Sequence, residues 1–235
     1  MSILQASPLI PPSRPEIIQS LIDGVDRYNP DNISILEEYL GAQLQNEEYD
    51  LMANLAILKL YQFNQHLIND RVIINILVKA LTAIPNPDFN LCLYLLHESA
   101  LAEDSIQKLL HLQSLLEQAR YREFWHVYES EETYRILTSE AIGFENAIRK
   151  VIARVVAISF QTISTELLQS YLNIGASNGH SDEDFSFFIE KQGWKEENKV
   201  VHIPVNNDNE AKPTVIRENI KFEQLTKVIG YSNEL

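Results

Sequence analysis

Tyr49 to Phe63 is the stretch that most limits what this chain can fold into. Laid on a helix, Leu51, Leu55 and Leu58 share a side with Asn54, Lys59 and Gln62, while Met52, Ala56, Leu60 and Phe63 occupy the remaining sides. A helix apolar nearly all round has to be covered from more than one direction. The run is too short and too often interrupted by polar residues to cross a membrane, which takes about 20 apolar residues. It therefore reads as the inner rung of a stacked helical array, a packing element with no chemistry of its own.

The flanking sequence reads as helix after helix. Met1 to Arg14 is dominated by Pro and Ser without a period, so residues 1–14 are expected as a disordered tail. Helices are expected over Glu16 to Asp23, Ile33 to Leu44, Asp50 to Phe63 and Arg71 to Ala83. Asp31 or Asn32, after the turn Tyr28-Asn29-Pro30, is expected to cap the second. The fourth stops at Ile84-Pro85-Asn86-Pro87, where neither proline can continue it. Further helices follow from Asp88 to about His97, from Asp104 to about Arg120 and from Tyr121 to Tyr128. Helix hairpins of roughly 35 to 40 residues mark HEAT-like or tetratricopeptide-like arrays, although no fixed-period repeat is visible in the sequence itself. Phe144 to Phe160 is the most clearly amphipathic segment: Phe144, Ile148, Val151, Ile152, Val155 and Phe160 share one face, and Asn146, Arg149, Lys150 and Ala153 the other.

The character changes after Gln161. Helices at Thr165 to Leu172 and Asp182 to Lys191 precede a strand over Val200 to Pro204, a polar loop from Val205 to Pro213, a second strand at Thr214 to Arg217 and a closing helix near Phe222 to Ile229. That order suits a winged helix. The expected fold class is mainly α, a HEAT-like array over residues 15–160 followed by a winged-helix domain over 161–235.

Composition narrows the function. Nineteen Lys and Arg against 33 Asp and Glu leave a net charge of −14, which repels phosphate backbones at long range and makes direct nucleic-acid binding weak or absent. The single Cys92 has no intrachain disulfide partner, and the start lacks a secretory signal, so a cytoplasmic location is expected. Asn32-Ile-Ser34 then serves as a helix start and not as a glycosylation site. The six histidines, at 66, 97, 111, 126, 180 and 202, show no ligand spacing, and Cys92 and His97 lie about 140° apart on a helix, too far round for a local nucleophile and base. No phosphate-cradling glycine loop is present. Asp182-Glu183-Asp184 is explained by the favourable position of carboxylates at a helix start. No catalytic residue, cofactor or metal is expected.

Two surface features remain. In the helix a winged fold would offer to a nucleic-acid groove, four carboxylates (Asp182, Glu183, Asp184, Glu190) against Lys191 leave a charge of −3. Arg149, Lys150 and Arg154 form the one basic stripe of note, either a solvated face or a contact for ribosomal RNA or an acidic partner. Within the acidic helix Phe185, Phe188 and Ile189 share a core face, leaving Phe187 pointing away, either as a partner anchor or against the array of the same chain.

Specific runs carry a resemblance: Gly24-Val-Asp-Arg-Tyr-Asn-Pro30, Tyr49-Asp-Leu51, Asn54 to Asn64, Lys79-Ala-Leu-Thr82, Asp88-Phe89, Phe124-Trp125, Gly143-Phe-Glu145, Arg149-Lys150 and Gly193-Trp194. Together they resemble the subunit k family of eukaryotic translation initiation factor 3, over most of the chain from about Ile22. The Pro-rich start and the acidic Asn206-Asn-Asp-Asn-Glu210 depart from that pattern. The resemblance implies a PCI-like, non-catalytic scaffold that supports preinitiation-complex assembly, pairs with subunit l and reaches the small ribosomal subunit indirectly. It also implies association through the winged-helix sheet; read from the residues, Val200 to Ile203 is expected as an open strand edge, and Phe187, Lys191, Val200, Val201, His202 and Ile203 are the expected partner-binding set. The alternatives are a subunit of a sister assembly, the COP9 signalosome or proteasome lid, and a nucleic-acid-binding winged-helix protein.

Overall fold

Asp50 opens the inner helix by accepting the Ala53 N–H at 3.1 Å, and the residues that follow, Leu51–Phe63, are buried on several sides. In the computed structural model, which describes residues 10–175 and 182–211 and the helical positions 225–226 and 229–230, this is the third of twelve helices among the described residues. They are α1 (Glu16–Asp23), α2 (Ile33–Gln45), α3 (Leu51–Phe63), α4 (Asp70–Leu81), α5 (Asp88–Leu93), α6 (Glu98–Leu101), α7 (Asp104–Glu117), α8 (Tyr121–Ser130), α9 (Glu132–Thr138), α10 (Phe144–Ser159), α11 (Thr165–Leu172) and α12 (Asp182–Lys191). α3 packs against α1, α2, α4 and α5, which is why its apolar residues need no single face.

A buried polar network explains Asn54 on an apolar side of α3. The Gln43 and Asn54 amides pair at 3.0 and 3.3 Å, and Gln43 Oε1 also accepts the Asp50 N–H at 2.8 Å. Arg14 closes the network from outside α3, donating Nε and a terminal nitrogen to the two Asp50 carboxylate oxygens at 2.6 and 2.7 Å, with both side chains buried. The tail expected over residues 1–14 is therefore docked at its inner end, while residues 1–9 lie outside the described set. Other local expectations also shift. Asn32 does hold the N-cap position of α2 but makes no side-chain capping bond there, donating its amide to Asp26 O at 3.0 Å, while Asn29 accepts the Asp31 N–H at 3.1 Å and caps the single 3-10 turn Pro30–Asn32. α5 ends at Leu93, well before His97, and α9 is an element the apolar pattern did not announce.

Three strands follow α10: β1 (Thr162–Ser164), β2 (Lys195–Glu197) and β3 (Val200–His202), ordered β1–β3–β2 with both pairings antiparallel. Ile163 stands opposite Val201, and both face the core, while Thr162 and His202 face outward. β2 and β3 are joined by Asn198 and Lys199, at φ 52 and 63, the paired positive angles of a two-residue type I′ hairpin. Helix, strand, two helices and hairpin, from α10 to β3, make up the winged-helix arrangement. The tight β2–β3 hairpin forms a wing. The expected strand at Thr214 to Arg217 lies outside the described residues, as does most of the expected closing helix near Phe222 to Ile229.

This order corrects the reading of Val200 to Ile203 as an open edge. β3 is the central strand, hydrogen-bonded on both sides, Val201 and Ile203 are core, and the Ile203 N–H donates to Gln161 O at 2.9 Å. β1 and β2 escape the pattern because neither carries an apolar run: β1 buries Ile163 alone, and β2, Lys-Glu-Glu, is exposed throughout.

The loop after β3 is equally specific. Asn206 and Asn209 donate their side-chain amides to Ala157 O at 2.9 and 3.1 Å, and Asn209 also reaches Phe160 O at 3.2 Å. They satisfy carbonyls that the end of α10 leaves without helical partners. The run that departs from the family pattern thus holds α10 in place. One hydrophobic core extends from Ile18 through α10 to Ile203, without a break at Gln161.

Candidate functional site

α12 places its aromatics as helical spacing dictates. Phe185 and Ile189 are buried, Phe188 packs against the core edge, and Phe187 points outward with 67% exposure. Facing it, α10 carries Asn146 and Lys150, both exposed. A groove of about 440 Å³ lies between them, lined from α12 by Asp184, Phe187, Phe188 and Lys191 and from α10 by Asn146, Arg149 and Lys150. Glu47 completes one wall from the turn between α2 and α3. That turn is fixed by the Ile142 N–H donating to Leu44 O at 3.1 Å and by Gly143, whose φ of 71 suits glycine and whose missing Cβ leaves room for the Glu47 carboxylate. Glu47 in turn pairs with Lys150 at 3.5 Å.

The groove brings together Phe187, Lys191, Arg149 and Lys150, which the sequence presents as two unrelated sets. Arg154 is half-buried on α10 and outside the lining, and Val200 to Ile203 lie in the sheet, with only His202 among them exposed. The sequence pattern marks Asn146 and Phe188 only as a polar-face and a core-face residue of their helices, and does not single out Glu47 at all. Glu47 had no signal to find, because nothing in a short acidic turn says which distant helix it meets.

Arg149 corrects a second expectation. It is 6% exposed and belongs to no solvated stripe. Its Nε donates to Leu172 O at 3.0 Å at the end of α11, one terminal nitrogen reaches Asn146 Oδ1 at 2.9 Å, and the guanidinium stacks 5.2 Å from the Trp125 ring of α8. Burial lowers its pKa, against the opposing pull of Glu145. Trp125 Nε1 donates to Tyr171 O at 2.8 Å, so two side chains of the array hold the α11 C-terminus. Ala153, placed by its spacing on the polar face, is also buried.

Elsewhere the buried ionisable groups are structural. Burial pushes the Cys92 thiol up to about 12, with Asp88 adding to it, so almost no thiolate forms at neutral pH. Burial lowers Lys79 to about 8, and its Nζ donates to Gln43 O at 3.3 Å. Among the described residues no group of three or more His, Cys, Asp or Glu could hold a metal ion, and no helix is long and apolar enough to cross a membrane.

A mainly helical array whose last helix runs on into a winged helix, with a mixed apolar and charged groove at the junction, defines a PCI-like protein built for contact. The chain belongs to the CSN8/PSMD8/EIF3K family, whose model matches residues 67–215. It is 43% identical to "Eukaryotic translation initiation factor 3 subunit K" of Sclerotinia sclerotiorum over 95% of this chain and 96% of that one. The subunit K proteins of Botryotinia fuckeliana, at 42% identity, and Yarrowia lipolytica, at 40%, match over 95% of this chain and 96% and 97% of their own lengths. These relatives agree with the resemblance carried by Gly24 to Asn64, and they do not favour the sister assemblies.

Proposed function

We propose that this chain is the K-type subunit of a translation initiation factor 3 complex, a non-catalytic scaffold that supports preinitiation-complex assembly in the cytoplasm. The observation that carries the reading is similarity to subunit K proteins over nearly the full length of both chains. The array of residues 15–160 and the winged helix of 161–235 act as two modules sharing α10, with subunit l the main contact at the winged-helix end. Phe187 and Lys191 carry that contact. Of the strand residues, His202 is the one whose exposure supports a role, since β3 has no open edge. The small ribosomal subunit is reached through other subunits, in keeping with the −14 charge and with Arg149 being turned inward.

Affinity purification of the tagged chain followed by mass spectrometry tests this. Initiation-factor subunits, subunit l among them, are the expected co-purifying proteins; signalosome or lid subunits in their place would sink the reading. Submicromolar binding of the purified chain to bare ribosomal RNA at about 150 mM salt would overturn the indirect route to the ribosome.

A further inference from the structure

We infer that α8 and α10 clamp the last turn of α11 and, through it, set the direction in which the winged helix faces on the array. The inference concerns the chain itself and holds whichever partner the winged helix takes.

Four consecutive residues at the end of α11, Ser170 to Asn173, each meet a different side chain of the array. Arg122 Nε donates to Ser170 Oγ at 2.9 Å, Trp125 Nε1 to Tyr171 O at 2.8 Å and Arg149 Nε to Leu172 O at 3.0 Å, while Asn173 donates its amide to the Glu129 carboxylate. Arg122, Trp125 and Glu129 stand at i, i+3 and i+7, one stripe of α8 laid along α11. Tyr171 O and Leu172 O are among the last carbonyls of their helix, which have no partner within it, so the array supplies bonds that the end of α11 needs. Asn173 closes the helix in the left-handed conformation, at φ 55, and its side chain is the last of the four to be tied.

Apolar burial alone does not fix a direction. Leu168 and Leu172 are fully buried, and Tyr171 meets Tyr121 edge-on with ring centroids 5.4 Å apart, but apolar attraction is non-directional and lets a helix turn or slide along its seat. Bonds to particular atoms at four successive positions allow one register. α11 is also the joint through which direction passes: it packs on α8 and α10 on one side and on β1 on the other. β1 pairs with β3, β3 with β2, and β2 packs on α12, so the seat of α11 governs where the exposed Phe187 and His202 point. Arg122, Trp125, Glu129 and Arg149 are positioning residues in this sense, acting on the winged helix from the array.

Double electron–electron resonance on the full chain tests this, with nitroxide labels at His111→Cys on α7 and Glu190→Cys on α12, both exposed positions. Cys92 is buried and stays unlabelled. A single narrow distance distribution is expected. Arg122→Ala with Trp125→Phe and Glu129→Ala cuts the three ties from α8 while keeping an aromatic ring at 125, and should broaden that distribution about twofold or more, or split it, at unchanged helicity. Glu123→Ala, on α8 but outside the clamp, should leave it unchanged. If the triple variant loses helicity, Arg122→Ala with Glu129→Ala decides in its place, since both side chains are exposed and lie outside the core. A wild-type distribution that is already broad or split would overturn the proposal. So would a clamp variant that keeps the wild-type distribution, even one that melts at lower temperature, because the ties would then stabilise the junction without directing it. Equal broadening by Glu123→Ala would also overturn it, since the effect would belong to α8 at large and not to these bonds.

Discussion

Replacing Arg149 by Ala separates the two roles open to a basic residue on α10. If it were a solvated contact for RNA, stability would change by no more than about 0.5 kcal/mol, the usual range for surface substitutions. The structure instead gives it a bond to Leu172 O at 3.0 Å and a place 5.2 Å from the Trp125 ring, with 6% exposure. A hydrogen bond from a charged donor contributes about 1.5–3 kcal/mol, and a desolvated cation–π contact up to about 2 kcal/mol. The cation also sits at the C-terminus of α11, where the helix dipole favours it. Set against the cost of burying the charge, about 3 kcal/mol is the expected net loss, which for a chain of this size lowers the melting temperature by about 6–12 °C. Differential scanning calorimetry with urea titration reads it directly. Arg149→Lys should recover little, because one ammonium cannot both reach the carbonyl and stack flat on the ring. Lys150→Ala, on the next residue but exposed, should stay near wild type. A melting temperature for Arg149→Ala within about 2 °C of wild type, at unchanged helicity, would refute the structural assignment and return the residue to the surface.

Arg14→Met strands the buried Asp50 carboxylate and should cost about 3 kcal/mol, with Asp50→Asn in the same chain recovering part of it; equal losses in the single and double variants would show the pair to be idle. Lys79 has a folded pKa of about 8, below its ordinary 10.5, so between those values the unfolded state binds more protons and stability rises with pH. Urea midpoints at several pH values across that window should rise with pH relative to those of Lys79→Met, because the opposing loss from the buried Cys92 thiol is common to both chains, and parallel curves would show that the amine is solvated. Limited proteolysis should leave Asn206 to Asn209 uncut while Asn209→Ala opens the loop to early cleavage, and rapid wild-type nicking there would contradict the capping of α10.

Sequence alone was sufficient wherever the deciding physics acts along one element. The all-round apolarity of α3, the stop at Pro85 and Pro87, the bounds of α11 and the outward turn of Phe187 are properties of a 3.6-residue period and of local backbone chemistry, and the structure bears them out. What tertiary structure decided is which elements become neighbours. Val200 to His202 has the same strand pattern whether it is an edge or the centre of a sheet, and only its pairing with Thr162–Ser164 on one side and Lys195–Glu197 on the other makes it central. Arg149 occupies a polar helical position by spacing, yet α8 and α11 close over it and turn it into a buried tie between array and winged helix. Glu47 and Arg14 acquire partners far along the chain, which no period encodes. Burial and charge pairing depend on the surfaces that face a residue across space, and a one-dimensional pattern records only the surface the residue itself presents.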